Sequence, residues 1–215
     1  MNANQFINWL PELLKGLEVT VGASLICIVT AVVWGCVVAS LNCFHNPILS
    51  VLLRIYISVF RNSPLLVWMF LFFYGLPYIG ITLSALACGI LAITLNEGAF
   101  VAEIVRGAIR NVPKGEIEAA YSLGLTRLQV VSRIIFPLAV RASVPMITGQ
   151  ASIVIKDTSL FSMIMILDLT RAGDRFYSKY LNVSAIWIVA LIYIILFLLF
   201  STAGKAIERR VKVRR

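Results

Sequence analysis

The sequence predicts an all-α, polytopic membrane protein with five transmembrane helices, and three observations carry that prediction. The chain of 215 residues is 60% hydrophobic and only 13% charged, whereas about 25% of the residues of a soluble domain are charged. Residues 19–41 and 180–204 contain no charge, and each run exceeds the roughly 20 helical residues that a hydrocarbon core requires. Lys and Arg also gather in alternate connections between the apolar runs, as they do when a chain crosses a membrane repeatedly.

The spans follow in order. Ahead of the first, Phe6, Trp9, Leu10, Leu13, Leu14 and Leu17 recur at helical spacing. Residues 1–16 are therefore expected as a short external helix on the membrane interface, the alternative being a loop with an aromatic anchor. Residues 19–41 form the first span. No charge separates Arg61 from Glu97, too long a run for one straight crossing, and Gly75, Leu76, Pro77 and Gly80 supply a reversal. The second span is thus expected over about 64–75, extended backwards toward Leu53, and the third over about 82–104. Arg141 and Lys156 bracket 14 uncharged residues, only about 21 Å of helix. The fourth span must therefore contain or end near Lys156 and Asp157. Residues 180–204 form the fifth.

Orientation follows from the basic residues. With the N-terminus outside, internal segments hold Arg54 and Arg61, then Arg106, Arg110, Lys114, Arg127, Arg133 and Arg141, then Lys205, Arg209, Arg210, Lys212, Arg214 and Arg215. External segments hold only Lys15, Lys156, Arg171, Arg175 and Lys179, so the positive-inside bias predicts N-out and C-in. The net charge of +9 reflects this topology and anionic lipid rather than a nucleic-acid partner. Cys27, Cys36, Cys43 and Cys88 fall in or beside spans and imply no disulfide framework. No cleavable signal is expected, because no basic stretch precedes an early apolar run.

One polar segment, 106–141, interrupts the apolar pattern between spans three and four, and a basic tail, 205–215, follows span five. Pro113 suits a first helical turn, and 114–131 then reads as helix, with Ile117, Tyr121, Leu123, Leu125 and Leu128 as its apolar set. Gly124 breaks it. Glu116 and Glu118 stand in the first turns, where carboxylates oppose the helix dipole favourably. Ala119, Ala120 and Gly124 present almost no side chain, so helix, glycine turn and second helix would make a compact knob able to enter a groove on another protein. An ordinary cytoplasmic loop held by ion pairs is the alternative.

The residue string Glu118-Ala119-Ala120, then Gly124, Ile134 and Phe136-Pro137, resembles the EAA motif of ABC-importer permease subunits. That motif expects leucine where this chain has Phe136. Further segments resemble the polar amino-acid branch of the family: 61–66, with Asn62-Ser63 where glycine and threonine are expected, and 73–77, 95–100, 102–104 and 156–160. Together they span roughly residues 16–204. The resemblance implies a five-helix subunit of the bacterial cytoplasmic (inner) membrane, pairing with an identical or homologous permease. Two cytoplasmic ATP-binding subunits would dock on it, and an external binding protein would deliver the amino acid. By match to the motif, Glu118, Ala119, Ala120 and Gly124 are the expected coupling residues. The chain has no GxxxxGK[ST] phosphate loop, so it is not expected to be an enzyme or to bind a cofactor. ATP and Mg would sit on the partner ATPase subunits.

Polar residues inside spans are the candidates for a substrate path, because such groups are costly there and usually face a cavity or partner. Glu97, in the third span, has no opposite charge three or four residues away. It is read as a counter-charge for a substrate cation, or else as a helix–helix hydrogen-bond or interface residue. Glu103, Arg106 and Arg110 are spaced to pair with one another along one face. Lys156 would meet a substrate carboxylate, snorkel outward or pair with a neighbouring acid, while Asp157 would cap a helical restart with Thr158 and Ser159. Asn62, Ser63, Asn96, Thr148 and Gln150 complete the candidate path. Trp68, Phe70, Phe72, Phe73, Tyr74 and Tyr78 read as a lipid-facing and rim set. His45 lacks neighbours for a metal site. Two other classes stay open at this point: an ion-coupled secondary transporter without an ATPase, and a non-transporting membrane scaffold.

Overall fold

The computed structural model describes residues 2–41 and 47–211. The expectations for Cys43, His45, Lys212, Arg214 and Arg215 lie outside the described residues. The described chain is helical, without strands: α1 (Ala3–Leu41), α2 (Pro47–Arg61), α3 (Leu65–Phe70), α4 (Ala85–Arg110), α5 (Lys114–Ser122), α6 (Arg127–Val130), α7 (Phe136–Asp157), α8 (Leu169–Tyr180) and α9 (Ser184–Val211). Four helical stretches are long and apolar enough to cross a membrane, and the bent pair formed by α2 with 65–79 makes a fifth.

The centre is a crossing of α1 and α4 made close by small residues. The buried face of α1 carries Gly16, Thr20, Ala23, Ser24, Cys27, Ala31 and Gly35, and that of α4 Cys88, Gly89, Ala92, Gly98, Ala99 and Ala102. Such small residues let helix backbones approach in lipid, where dispersion and hydrogen bonds replace the hydrophobic drive. A methyl group on Gly35 would stand 2.5 Å from Val101 Cβ. Thr30 and Thr94 hydroxyls meet across the pair at 2.6 Å. Of the apolar stretch of α4, 56% is buried, against 17% for α9, so α4 is the inner helix and α9 a peripheral one.

Three expectations are corrected. First, residues 3–16 are not a separate interfacial helix but the start of α1, whose 39 residues reach about 58 Å, well beyond a core of about 30 Å. The projecting turns dock on α8: Trp9 Nε1 donates to Ala172 O at 2.9 Å, and Arg175 pairs with Glu12 at 3.0 Å. Second, the second span is not straight. It bends by 104° between α2 and the 65–79 stretch, because the residue before Pro64 is kept out of helical geometry. Ser63 Oγ then bonds the freed carbonyl of Val59 at 2.6 Å, and Asn62 Nδ2 adds a second donor at 2.8 Å to Ser58 O, which keeps its backbone bond from Asn62 N. Third, Asp157 caps nothing. It closes α7 and runs directly into a 3-10 stretch, Thr158–Ile164, with no side-chain cap bond.

The expected reversal after 75 is present, ending at Gly80 with φ +82°, and Ser84 caps α4 by accepting from Ala87 N at 3.2 Å. Two widened π turns, Leu71–Gly75 and Val131–Ile135, share one cause. Each surrounds the residue four before a proline (Phe73 before Pro77, Arg133 before Pro137), whose carbonyl loses its donor and meets the proline ring. The aromatic set is only partly a rim. Trp68 stacks on Phe60 at 4.2 Å and donates to Ser63 Oγ at 2.6 Å, whereas Tyr74 and Tyr78 are exposed.

Candidate functional site

Two features stand out: an outward knob at one end of α4 and α7, and a polar cluster inside the bundle between the same two helices.

The knob is α5, a turn and α6. At the C-terminus of α5, Leu125 N donates to Ala120 O (3.2 Å) and Gly124 N to Tyr121 O (2.9 Å). This is the paired bonding of a Schellman motif, in which the residue after the cap takes left-handed geometry. Gly124 has φ +76°, and a Cβ built on it would meet nothing within 4 Å. Its requirement within the chain is therefore conformational, and the space above it is open. Thr126 then starts α6 with a capping box: its Oγ1 accepts from Gln129 N, and Gln129 Oε1 accepts from Thr126 N at 2.9 Å. Helix, glycine turn and second helix appear as the sequence suggests.

The apolar set of this segment divides. Ile117 turns inward onto Ala108, Val112 and Ala139, with Ile109, Ile135 and Leu138 around them. Tyr121, Leu123 and Leu128 point out, with 81% of Leu123 and 77% of Leu128 exposed. Glu118 and Ala119 are exposed and Ala120 is buried. The sequence presents these residues only as one apolar set, without dividing them. The glycine turn carries Leu128 off the register of Ile117, whereas Tyr121 and Leu123 lie before it on α5 and its C-cap.

Inside the bundle, Glu97 is 3% exposed and accepts a hydrogen bond from Gln150 Nε2 at 2.5 Å. Asp157 on α7 lies close enough to Glu97 for the two carboxyls to interact. Two carboxyls with one amide donor between α4 and α7 leave acceptor capacity unspent, which an ammonium or other cationic donor would fill.

Of eight candidate path residues, the structure brings only these three together. Asn96, next in sequence and also buried, turns to α2 and donates to Phe60 O at 2.6 Å. Asn62 and Ser63 serve the bend. Thr148 bonds Pro145 O at 2.9 Å and packs on Gly204 of α9. Lys156 swings to α9, 5.0 Å over the Phe197 ring. The expected pairing along α4 holds for Glu103 and Arg106 at 2.6 Å and extends to Arg61 at 4.0 Å, without Arg110. Sequence reasoning also missed Asp168, fully buried at the start of α8, which accepts from Thr170 N, Arg171 N and the Tyr193 hydroxyl. Burial raises its pKa, while these bonds act in the opposite direction.

Such a bundle, with an interior polar cluster and a structured knob outside it, defines a multi-pass membrane transport subunit. Comparison with known proteins makes this specific. Residues 31–213 match the family of binding-protein-dependent transport system inner membrane components, and the chain belongs to that family. It is 32% identical over 207 residues to the glutamine transport system permease protein GlnP of Escherichia coli K12, covering 95% of this chain and 94% of the relative. It is 39% identical over 158 residues to the L-cystine transport system permease protein TcyB of Bacillus subtilis, covering 73% and 68% respectively. The crystal structure of an amino acid ABC transporter with histidines superposes with a TM-score of 0.91 at 29% identity, covering 98% of this chain and 99% of that one. The MetNI methionine transporter shares the fold, with a TM-score of 0.80 at 21% identity and coverage of 99% and 100%.

Proposed function

We propose that this chain is the translocation subunit of an ATP-driven, binding-protein-dependent importer of amino acids in the bacterial cytoplasmic membrane. ATP is hydrolysed, with magnesium, on two separate ATPase subunits that dock on residues 113–137. A second permease, identical or homologous, completes the pathway, and an external binding protein delivers the amino acid. The N-terminus is outside, and the tail, 205–215, is inside.

The observation that carries this reading is the α5–α6 knob. Exposed apolar groups on a doubly capped, rigid turn fit a partner groove better than they fit water. The knob also rests on α4 at Ala108 and on α7 at Ala139. Glu97 lies 11 residues from Ala108 on α4, and Gln150 lies 11 residues from Ala139 on α7. Each arm is therefore about 16 Å of helix. A push on the knob that shifts α7 against α4 acts on the contacts between Glu97, Gln150 and Asp157. Alternating access then consists of making and breaking this cluster from opposite sides of the membrane.

The substrate's ammonium is the group suited to Glu97 and Asp157. The remaining residues of the candidate path have structural partners and are not needed for this reading. Leu123→Glu tests it in the complex solubilised with its ATPase and reconstituted with its binding protein. A charge placed in the groove should release the ATPase and stop uptake while the permease itself stays folded. Unchanged ATPase retention and uptake would overturn the docking role. A wild-type permease that transports with no ATPase present would instead favour ion-coupled transport, and a complex that moves no substrate would favour a scaffold.

A further inference from the structure

A second face of α4, about 120° around the helix from Glu97, carries another charged site. Glu103 lies seven residues beyond Asn96, hence on the same side of the helix, the side that meets α2. There Arg54, Ile57, Ser58, Arg61 and Asn62 from the α2 segment, with Glu103 and Arg106 from α4, line a cavity of about 350 Å³. Three arginines against one carboxylate leave the lining with two uncompensated positive charges.

Those cations are only partly occupied by the protein. Arg106 pairs with Glu103, yet its buried Nε has no partner among the described residues. Arg61 reaches the same carboxylate only at 4.0 Å and lies 5.1 Å over the Phe100 ring. Arg54 gives one hydrogen to its own helix, Nε to Ser50 O at 3.2 Å. Guanidinium groups converging on one opening are suited to a phosphate, which they can bind through paired hydrogen bonds.

The neighbouring surface decides which phosphate. Beside the arginine stripe of α2 runs an exposed apolar stripe, Ile48, Val51, Leu52, Ile55 and Val59. The spacing of three and four keeps it on one face, adjacent to Arg54 and Ser58. The 104° bend after Arg61 carries this two-sided helix away from the line of α3. A ligand with an anionic head and hydrocarbon tails satisfies both stripes at once, whereas a free phosphate or nucleotide leaves the apolar one uncovered. Basic pockets between helices on the positively charged side of a membrane protein are sites of this kind.

We propose that the pocket of Arg54, Arg61 and Arg106 holds the phosphate head of an anionic phospholipid, with its chains along the Val51–Ile55–Val59 stripe. The lipid would pin α2 against α4 on that second face.

The test uses the complex purified in mild detergent with its associated subunits. It is equilibrated with equal amounts of phosphatidylglycerol and phosphatidylcholine of identical chains, and bound lipid is read by native mass spectrometry. Wild type should retain phosphatidylglycerol selectively. Arg54→Gln, an exposed position outside the bundle core, should weaken that retention about fivefold, as expected for one cation worth about 1 kcal/mol at an anionic lipid. Phosphatidylcholine retention should not change. Equal retention of the two lipids by wild type would overturn the proposal without any variant, and is the result if a second protein chain fills the pocket. Selectivity unchanged in Arg54→Gln would overturn the assignment to this pocket. Displacement by millimolar inorganic phosphate as readily as by lipid would also overturn it, making the site one for free phosphate.

Discussion

Gly124 allows the docking role of the knob to be separated from the conformational demand of its turn. Its φ of +76° is left-handed, a geometry that costs an ordinary residue roughly 1–2 kcal/mol and that asparagine tolerates better than most. A Cβ there touches nothing in this chain, so neither substitution meets a steric penalty inside the permease. Gly124→Ala therefore strains the turn while adding only a methyl group. Gly124→Asn spares most of the strain but places a larger polar group on the knob surface. A cost of about 1–2 kcal/mol lowers the population of the correctly turned knob about 5- to 30-fold relative to competing turns. If a partner surface seats closely over the glycine, Asn should impair ATPase retention and the ratio of uptake to ATP hydrolysis more than Ala does. If the turn alone matters, the order reverses. Both are measured in proteoliposomes with the binding protein, with co-purified ATPase as the docking readout. Wild-type retention and coupling in both variants would refute the argument, because then neither the left-handed turn nor the open space above it would serve coupling.

Three further outcomes follow from the packing and the polar contacts. Glu97→Gln keeps the shape of the buried side chain but removes its charge, and a charged hydrogen bond is worth about 1.5–3 kcal/mol. Substrate affinity of the reconstituted complex, screened over a panel of amino acids, should fall about 10- to 150-fold, and unchanged affinity across the panel removes Glu97 from the site. Gly35→Val forces atoms into the 2.5 Å gap to Val101. Overpacking of about 1–3 kcal/mol should lower the thermal midpoint by about 2–4 °C per kcal/mol, read by scanning fluorimetry in detergent. Burial raises the Asp168 carboxyl above its ordinary pKa, so the folded state holds that proton more tightly than the unfolded state does. The resulting stabilisation is full below the unfolded value of about 3.9 and is lost as pH rises through the folded one. The midpoint difference between wild type and Asp168→Asn, which retains a capping side chain, should therefore shift against wild type as pH rises from below about 4. A pH-independent difference would show that the cap bonds cancel the burial.

The spans were legible because lipid leaves a chain few options. With no water for the backbone, an apolar run of sufficient length must be a helix, and the charge-free runs gave four of the five, the fourth span being read across Lys156 and Asp157. The bend of α2 was not legible, because Pro64 also reads as an ordinary first turn, and only α4 packed against both arms shows that the chain reverses direction there. Nor was the continuity of α1: Trp9 is held by Ala172, 163 residues away, and no local pattern reports that. The α5–α6 knob was readable because its constraints are local, a glycine in a left-handed turn between two caps. The interior site was only half readable. Asn62, Ser63 and Thr148 are as polar as Gln150, but short polar side chains in helices readily bond carbonyls of their own preceding turn. Which polar group instead crosses to a neighbour depends on helix rotation, and that is set by packing.

That packing also decides which helix moves. α4 is held to α1 by small residues along its length, with Gly35 and Gly98 leaving no room for a sliding side chain. A dense, interdigitated contact resists gradual deformation, so α1 and α4 behave as one body. The span built from α6, the π turn and α7 is different. Only 17% of its apolar stretch is buried, Pro137 and Pro145 each remove a backbone bond, and the π turn sits directly behind the knob. Under the proposed coupling, displacement of the knob is therefore absorbed by α7 while α4 stays in place. Glu97 is the stationary carboxyl, and Gln150 and Asp157 are the groups carried past it. The cation site is then complete only in the conformation where α7 lies against α4. A ligand that prefers this closed cluster would stabilise it by its differential affinity for the two arrangements, and the force applied at the knob must exceed that preference for the substrate to leave.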